Sequence, residues 1–382
     1  MKVTFFTLRL MGGGAERVMV NLSRAFAGKG MNIDFVLSEA NGPLLEQVSS
    51  KVRIVDLKIA PLRKIGFLKA SSYLQSVRSI LPLMRYLKRS KPDFLISEAH
   101  YSNEAAMLAK LLSGAPTKIV VTEHIMLSLH AKQGQHASAR LATLTSRIFY
   151  RFADAIVASS HGVAKDSAQI TGLPLERIKV IYNPSITPKL LNMSKEPVDH
   201  PWFAPGAPPV ILSAGRLDSQ KDFPTLIRAF ARVRKARYAR LVILGKGDEH
   251  HSLKTLIKEL ELEKDTALPG YLQNPFAYMS KAAVFVLSSI YEGLSNVLIE
   301  AMAVGTPVVS TDCPSGPAEI LSNGKYGELI PVGDSEKMAA AIMRALDEKR
   351  KAIDPAWLGQ FTVEVAAQKY IDLLMDCRKG VK

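Results

Sequence analysis

The sequence predicts an α/β protein of two doubly wound domains, each a parallel sheet covered by helices on both faces. Three observations carry this. Short, almost continuously apolar runs alternate with helix-length amphipathic segments from the first residues onward, the pattern of strands buried on both sides. At 382 residues the chain is too long for one ordinary hydrophobic core. A stretch rich in proline and polar residues, "NPSITPKLLNMSKEPVDHPWFAPGAPP" (183–209), interrupts the alternation and reads as a linker.

In the first domain, strands are expected at "VTFFTL" (3–8), "NIDFVLS" (32–38), "RIVDL" (53–57), "DFLIS" (93–97), "KIVVTE" (118–123), "DAIVASS" (154–160) and "IKVIYN" (178–183). In the second they are expected at "VILSAGR" (210–216), "ARLVILG" (239–245), "AVFVLSS" (283–289), "PVVSTD" (307–312) and "GELIPV" (327–332). The domains are set at 1–190 and 205–355, with a helix over 360–382 assigned to pack back onto the first. No internal repeat or low-complexity tract is visible.

Composition narrows the function classes. With 47% hydrophobic and 22% charged residues the chain is globular rather than disordered. No apolar run approaches a membrane span, and the N-terminus enters a strand without a cleavable leader, so a cytoplasmic protein is expected. The two cysteines, Cys313 and Cys377, lie far apart without a CxxC, which argues against a disulfide framework or a zinc site.

Net charge is +15, and it is concentrated at one end: residues 1–200 carry 27 Lys and Arg against 14 Asp and Glu. That half is expected to face something anionic. Residues 57–92 hold nine cations and no acid, interleaved with Ile65, Phe67, Leu68, Tyr73, Leu74, Leu81, Met84 and Leu87. A basic amphipathic helix of this kind fits an anionic membrane surface, although the same apolar residues would serve the domain's own core. A second acid-free stretch, 125–153, adds Lys132, Arg140, Arg147 and Arg151. No nucleic-acid-binding module is recognisable, so nucleic acid is not expected as a partner.

Ligands of such sheets bind outside the carboxyl ends of strands. The first strand runs into "RLMGGGAERV", where Gly12, Gly13 and Gly14 open a helix whose free amides favour an anion. A tight turn without a ligand would use the same residues. A dinucleotide fingerprint is not met: Arg17 stands where a further glycine is needed, and Asp34 falls inside the second strand. A Walker A loop is absent as well.

The second domain's first strand ends in "SAGRLDSQKD", with Arg216 and Lys221 five apart before a helix beginning at "DFPTLIRAF". Both cations can converge on one phosphate-rich ligand, or remain solvated. "LGKGDE" follows one strand later, with Gly245 and Gly247 permitting close backbone approach. The segment "SIYEGLSNVLIEAMAVGTPVVSTD" then places Glu292 in a turn and Glu300 inside a helix capped by Ser295 or Asn296 and stopped at Gly305. The amides of Gly293, Leu294 and Ser295 would face a diphosphate. Carboxylates beside such a site are useful only to hydroxyl donors, as two sugars flanking a diphosphate supply. Taken singly, Glu292 could be a helix-start acid and Glu300 a buried salt-bridge partner.

The chain resembles the family-4 retaining glycosyltransferases of the GT-B fold. "GGGAER", "TEH", "YNP", "GRLDSQK" and the E-x7-E segment "EGLSNVLIE" stand in that family's order over essentially the whole length. "CPSGPAEIL" (313–321) is similar to members that build bacterial surface glycans. The resemblance implies two Rossmann-like domains facing a central cleft, the second binding a nucleotide-sugar donor, expected to be a UDP-sugar. It implies that Arg216 and Lys221 hold the donor diphosphate, that Glu300 takes the ribose hydroxyls and that Glu292 contacts the transferred hexose-type sugar. Gly13 and Gly14 are implied near the phosphates or acceptor, and His124 beside the transferred sugar.

Arg216, Lys221, Glu292 and His124 are thus the expected catalytic set. No metal or other cofactor is expected, and no DxD pair sits at a strand end. Retention is implied by the family, with no glycosidase-like pair of carboxylates in view. The acceptor is expected to be a lipid-linked oligosaccharide or a lipopolysaccharide or capsule chain, reached from the inner face of the cell membrane by a peripheral protein. A sugar-nucleotide epimerase of the same fold and a catalytically idle, basic membrane scaffold are the alternatives.

Overall fold

Near-continuous runs of valine, isoleucine, leucine and phenylalanine build two parallel sheets, because such strands are stable only with both faces covered. The computed structural model describes residues 1–59, 72–133, 137–348 and 352–380. The chain divides into two units, Met1–Pro184 with Thr362–Lys382, and Ser185–Phe361.

The first unit carries β1 (Lys2–Thr7), β2 (Asn32–Leu37), β3 (Arg53–Asp56), β4 (Phe94–Glu98), β5 (Lys118–Glu123), β6 (Ala155–Ala158) and β7 (Ile178–Val180). Their order in the sheet is β3-β2-β1-β4-β5-β6-β7. Val3 pairs with Ile33 on one side and Phe94 on the other, so the winding reverses between β1 and β4. The two faces have separate cores. Phe5, Phe26, Phe35 and Ile96 pack on one, and Phe6, Leu95, Val121 and Tyr150 on the other.

The second unit carries β8 (Val210–Ala214), β9 (Arg240–Leu244), β10 (Thr266–Gly270), β11 (Val284–Leu287), β12 (Val308–Thr311) and β13 (Glu328–Ile330). They are ordered β10-β9-β8-β11-β12-β13, with the reversal between β8 and β11. Such reversal points leave a crevice at the carboxyl ends of the strands.

β10 has no counterpart in the sequence reading. Its residues, TALPG, contain a proline and a glycine, and its register against β9 shifts between Ala267 and Gly270. An edge strand tolerates both residues where a central one would not.

Residues 185–209 are a folded part of the second unit rather than a linker, and the partition falls between Pro184 and Ser185, not in the interval 190–205. Thr187 caps the helix Pro188–Met193. Asn274 Nδ2 donates to Met193 O at 2.8 Å and Ser280 Oγ to Ser194 O at 2.7 Å. The Arg240 guanidinium stacks 4.8 Å above the Trp202 ring. Proline and polar residues mark irregular chain, but irregular chain can be pinned by side-chain bonds as firmly as a helix.

The last helix, Val363–Lys379, belongs to the first unit, where Ala366, Ala367, Tyr370, Leu374 and Cys377 join the core containing Phe5 and Phe26. Lys118 Nζ donates to the carbonyl of Cys377 near its end. In the basic segment, a helix spans Ser72–Ser90. Leu83 and Leu87 are buried in the domain core, whereas Val77 and Leu81 on the same helix are exposed. Lys64, Ile65, Phe67, Leu68 and Lys69 lie outside the described residues.

Leu374→Ala would empty a fully buried position between the last helix and the sheet. It is expected to cost about 2–5 kcal/mol. A lower denaturant midpoint for the first unit, with the second unit's transition unmoved, would show this in a two-step unfolding curve.

Candidate functional site

In the second unit, the loops that follow β8 and β11 are laced together. Gln220 Nε2 donates to Tyr291 O at 2.9 Å, the Ile290 amide to Gln220 O at 2.8 Å, and Ser288 Oγ to Lys221 O at 2.6 Å. The stem of Lys221 lies over Gly215, where an added Cβ would stand 3.3 Å from three of its carbons. Its ammonium reaches Glu292 Oε1 at 2.5 Å, and Ser289 Oγ donates to the same oxygen at 2.6 Å. The Lys221 side chain is only 14% exposed and that of Glu292 8%. A charge-assisted bond this sheltered holds both groups in fixed geometry.

Arg216 is placed differently. Its side chain is 75% exposed, and its Nε lies 3.2 Å from Asp218. The two cations therefore do not converge on a common partner in this structure: each faces its own acid.

Glycine has a specific task in this loop cluster. A Cβ on Gly245, whose φ is +139°, would sit 1.8 Å from Gly215 O. One on Gly247 would sit 2.2 Å from Leu217 O. The close approach that these glycines allow is therefore to the neighbouring loop, tied by Leu217 N to Lys246 O and Glu249 N to Leu217 O, both at 3.0 Å.

The helix over Asn296–Ala303 starts behind Glu292, with Ser295 at the N-cap position and Gly305 at φ +78° past its end. Ser295 makes no capping bond, and its buried hydroxyl has no partner among the described residues. Glu300 is buried in this helix, and Leu294 lies buried just before it. The loop after β12, quoted in the sequence only for its resemblance and not as a site, fixes the turn: the Glu292 amide donates to Pro314 O at 2.8 Å and Ser315 Oγ to Gly293 O at 3.2 Å. Its position at a strand end was the available signal.

In the first unit the glycine turn is not a row of free amides. Gly13 caps the helix Gly14–Gly28, and Glu16 reaches back to accept from the amides of Gly12 at 2.8 Å and Gly13 at 3.2 Å. The reason was legible as an acid three positions after the cap. Burial raises the Glu16 pKa, against the lowering effect of those two amides.

His124 follows β5, its Nδ1 3.2 Å from Asn183 Oδ1 and its Nε2 3.2 Å from Thr122 Oγ1. Burial pushes its pKa down to about 4, so the ring is neutral near pH 7. Asn183, the asparagine of "YNP", thus orients it.

Two acids at strand ends went unremarked in the sequence. Glu98 ends β4 and accepts from Thr7 Oγ1, the last residue of β1, at 2.7 Å. Glu123 ends β5 and accepts from Asn103 Nδ2 at 3.0 Å and from the Tyr150 hydroxyl. Burial pushes both up to about 8. Among the described residues, no group of three or more His, Cys, Asp or Glu is arranged to hold a metal ion.

Comparison with known proteins fits this layout. The family model "Glycosyltransferase Family 4" matches residues 12–185, and "Glycosyl transferases group 1" matches 195–356. An N-acetylgalactosamine-N,N'-diacetylbacillosaminyl-diphospho-undecaprenol 4-alpha-N-acetylgalactosaminyltransferase of Campylobacter jejuni is 31% identical over 361 residues, covering 92% of each chain. The chain belongs to the family-4 glycosyltransferases of the GT-B fold, of the bacterial surface-glycan type.

This glycosyltransferase is also 28% identical to the lipopolysaccharide core biosynthesis glycosyltransferase LpsE of Rhizobium meliloti, over 98% of this chain and 99% of that one. Its fold matches the crystal structure of Anabaena HepE in complex with UDP and glucose, at a TM-score of 0.75 and 20% identity over 98% and 100% of the two chains. Relatives of this kind do not favour the epimerase or scaffold alternatives.

Gly245→Ala is expected to abolish soluble expression or lower the melting temperature sharply, since both the clash with Gly215 O and the positive φ oppose a side chain. Thermal melts of the purified variant decide it.

Glu98 sets a pH dependence. Its folded pKa of about 8 lies above the ordinary 4.5, so between these values the native state holds a proton that the unfolded chain has released. Its contribution is complete below the unfolded value and is lost as pH rises through about 8. Glu98→Gln should therefore lose less stability than the parent as pH rises from 4.5 to about 8, read from denaturant midpoints.

Proposed function

We propose that this glycosyltransferase moves a hexose-type sugar from a UDP-sugar to a lipid-linked oligosaccharide or a lipopolysaccharide-type acceptor. In this reading transfer proceeds with retention of anomeric configuration and without a metal ion at the donor. The observation that carries it is the Lys221 ammonium held by Glu292 beside the start of the Asn296–Ala303 helix, with Glu300 buried about one turn in.

Breaking a sugar–diphosphate bond develops negative charge on the leaving phosphate, and a cation already fixed in place stabilises it without reorganising. Lys221 supplies that fixed charge, and the exposed Arg216 can swing from Asp218 to fork onto phosphate oxygens. Glu292, held by Lys221 and Ser289, is suited to accepting hydroxyls of the transferred sugar, and Glu300 to the ribose. The neutral His124 suits contact with an uncharged sugar, with Gly13 and Gly14 near the phosphates or acceptor. Attack from the face the diphosphate leaves, with that phosphate helping to take the acceptor proton, gives retention without an enzymic nucleophile.

The acceptor class is supported by the relatives' names, one built on diphospho-undecaprenol and one on lipopolysaccharide core, and the donor base by the UDP of the Anabaena structure. An acceptor carried on lipid would bring this enzyme to the cytoplasmic face of the membrane as a peripheral protein. The cation excess of residues 1–200 supports that placement. No helix among the described residues is long and apolar enough to cross a membrane.

Arg216→Ala and Lys221→Ala should each lower turnover by roughly a hundredfold or more. Because Lys221→Ala also strands the Glu292 charge, the Lys221→Ala/Glu292→Gln pair separates lost catalysis from a disturbed loop. Near-normal turnover in both single variants would rule out the diphosphate role. Glu300→Gln is expected to weaken UDP and the full donor alike. Glu292→Gln should spare UDP and damage transfer; the opposite pattern in calorimetry would exchange the two assignments.

A further inference from the structure

We propose that the groove between edge strand β3 and the second half of the Ser72–Ser90 helix binds a phosphate ester, with Arg85 and Arg89 as its clamp. A cavity of about 620 Å³ lies there, lined by Lys2, Arg53, Arg85, Tyr86, Arg89 and Ser90 among others. Lys2 opens β1, and Arg53, Val55 and Asp56 line the groove along the length of edge strand β3, whereas none of the glycine-turn residues after β1 lines it. It is also formed wholly within the first unit, whereas the donor residues belong to the second.

The acid in its floor is already paired. The buried Asp34 accepts from Arg53 Nε at 2.7 Å, Arg53 Nη2 at 2.5 Å and the Tyr86 hydroxyl at 2.5 Å, with Lys2 Nζ 3.8 Å away. Lys2 Nζ is anchored to Ser90 by its carbonyl at 3.0 Å and its hydroxyl at 2.7 Å. The cavity's other acid, Asp56, has its Oδ1 occupied by the amides of Ala40 at 3.1 Å and Lys58 at 2.8 Å.

Arg85 and Arg89 thus stand over a floor that holds two cations against one buried acid, and neither has a carboxylate partner among the described residues. Four residues apart, they share a helix face, where like charges repel and an intervening anion would relieve the repulsion. The helix dipole accounts for Lys88 and Arg89 in the last turn. It does not account for Arg85 a turn earlier, which Asp34, held by Lys2 and Arg53, does not pair either.

The volume is that of a small-molecule site, far more than a bare phosphate fills, so an ester of a small polyol fits better. Leu81 and Val77, exposed one and two turns before Arg85, continue the stripe with apolar surface. The ester could therefore be a lipid head group or a soluble metabolite. The proposal stands independently of the sugar-transfer reading.

The test uses the full chain, glycerol 3-phosphate as the soluble probe and phosphatidylglycerol vesicles as the membrane probe, with phosphatidylcholine vesicles as background. Arg85→Ala/Arg89→Ala is compared with Lys254→Ala/Lys258→Ala, which removes the same charge from an exposed helix of the other unit. All three proteins are first checked for equal melting temperatures. Loss of two charged hydrogen-bond partners should weaken saturable binding about tenfold or more in the arginine variant and leave the lysine variant unchanged. Saturation by glycerol 3-phosphate assigns a soluble source, and saturation by vesicles alone assigns the lipid head group. Equal losses in the two variants, or no saturable binding of either probe, overturn the site.

Discussion

A sheet covered by helices on both faces takes a charged side chain mainly where its strands begin or stop, and inside a strand only when the charge is paired, as Asp34 of β2 is by Arg53 and Lys2. That constraint organises both units. The strands of the second unit are mostly apolar, and polar residues cluster at Gly215–Lys221, Gly245–Glu249, Ser288–Ser295 and Asp312–Ser315. These segments follow β8, β9, β11 and β12, neighbours in the sheet, so their ends gather although they are spread over a hundred residues of chain. Glu98 and Glu123 obey the same rule in the first unit, at the ends of adjacent strands.

The Lys221–Glu292 pair shows what such a gathering costs and secures. Taking two charges out of water is expensive, and their attraction returns that cost only with good geometry and extra hydrogen bonds. Ser289 supplies one of these to the carboxylate, while Ser288 fixes the lysine's backbone. An arrangement of this kind is poor as a source of stability but good at fixing position, which suits the role proposed for Lys221. Under that proposed role, a donor phosphate would compete with Glu292 for the ammonium, redistributing an existing ion pair rather than filling an idle charge.

The fold was legible wherever a strand was central. "VTFFTL" and "VILSA" are β-branched or aromatic and continuously apolar, and nothing but a doubly covered strand suits them. β10 was hidden because an edge strand can be written as TALPG, and residues 185–209 were misread because composition reports irregular backbone but not what it packs against. At the candidate site, residue types and their places after strands pointed to loops that the structure laces together. Distant partners were not legible: that Lys221 grips Glu292 and that Gly245 clears Gly215 are facts of three-dimensional neighbourhood. Glu98 and Glu123 escaped notice because an acid at the end of an apolar run looks like the start of a loop, and only burial gives it a shifted proton affinity.

The return of the Val363–Lys379 helix to the first unit makes that unit discontinuous in the chain, with the whole of Ser185–Phe361 intervening between its parts. During synthesis, which runs from the N-terminus, the seven-stranded sheet would emerge early with the apolar surface around Phe26 and Val20 uncovered where Ala367, Tyr370 and Leu374 later pack. The second unit, contiguous in sequence, can close while that surface waits. The unit begun first is therefore completed last, and in the interval it presents a sticky face of the kind that chaperones shield and that favours aggregation when translation stalls.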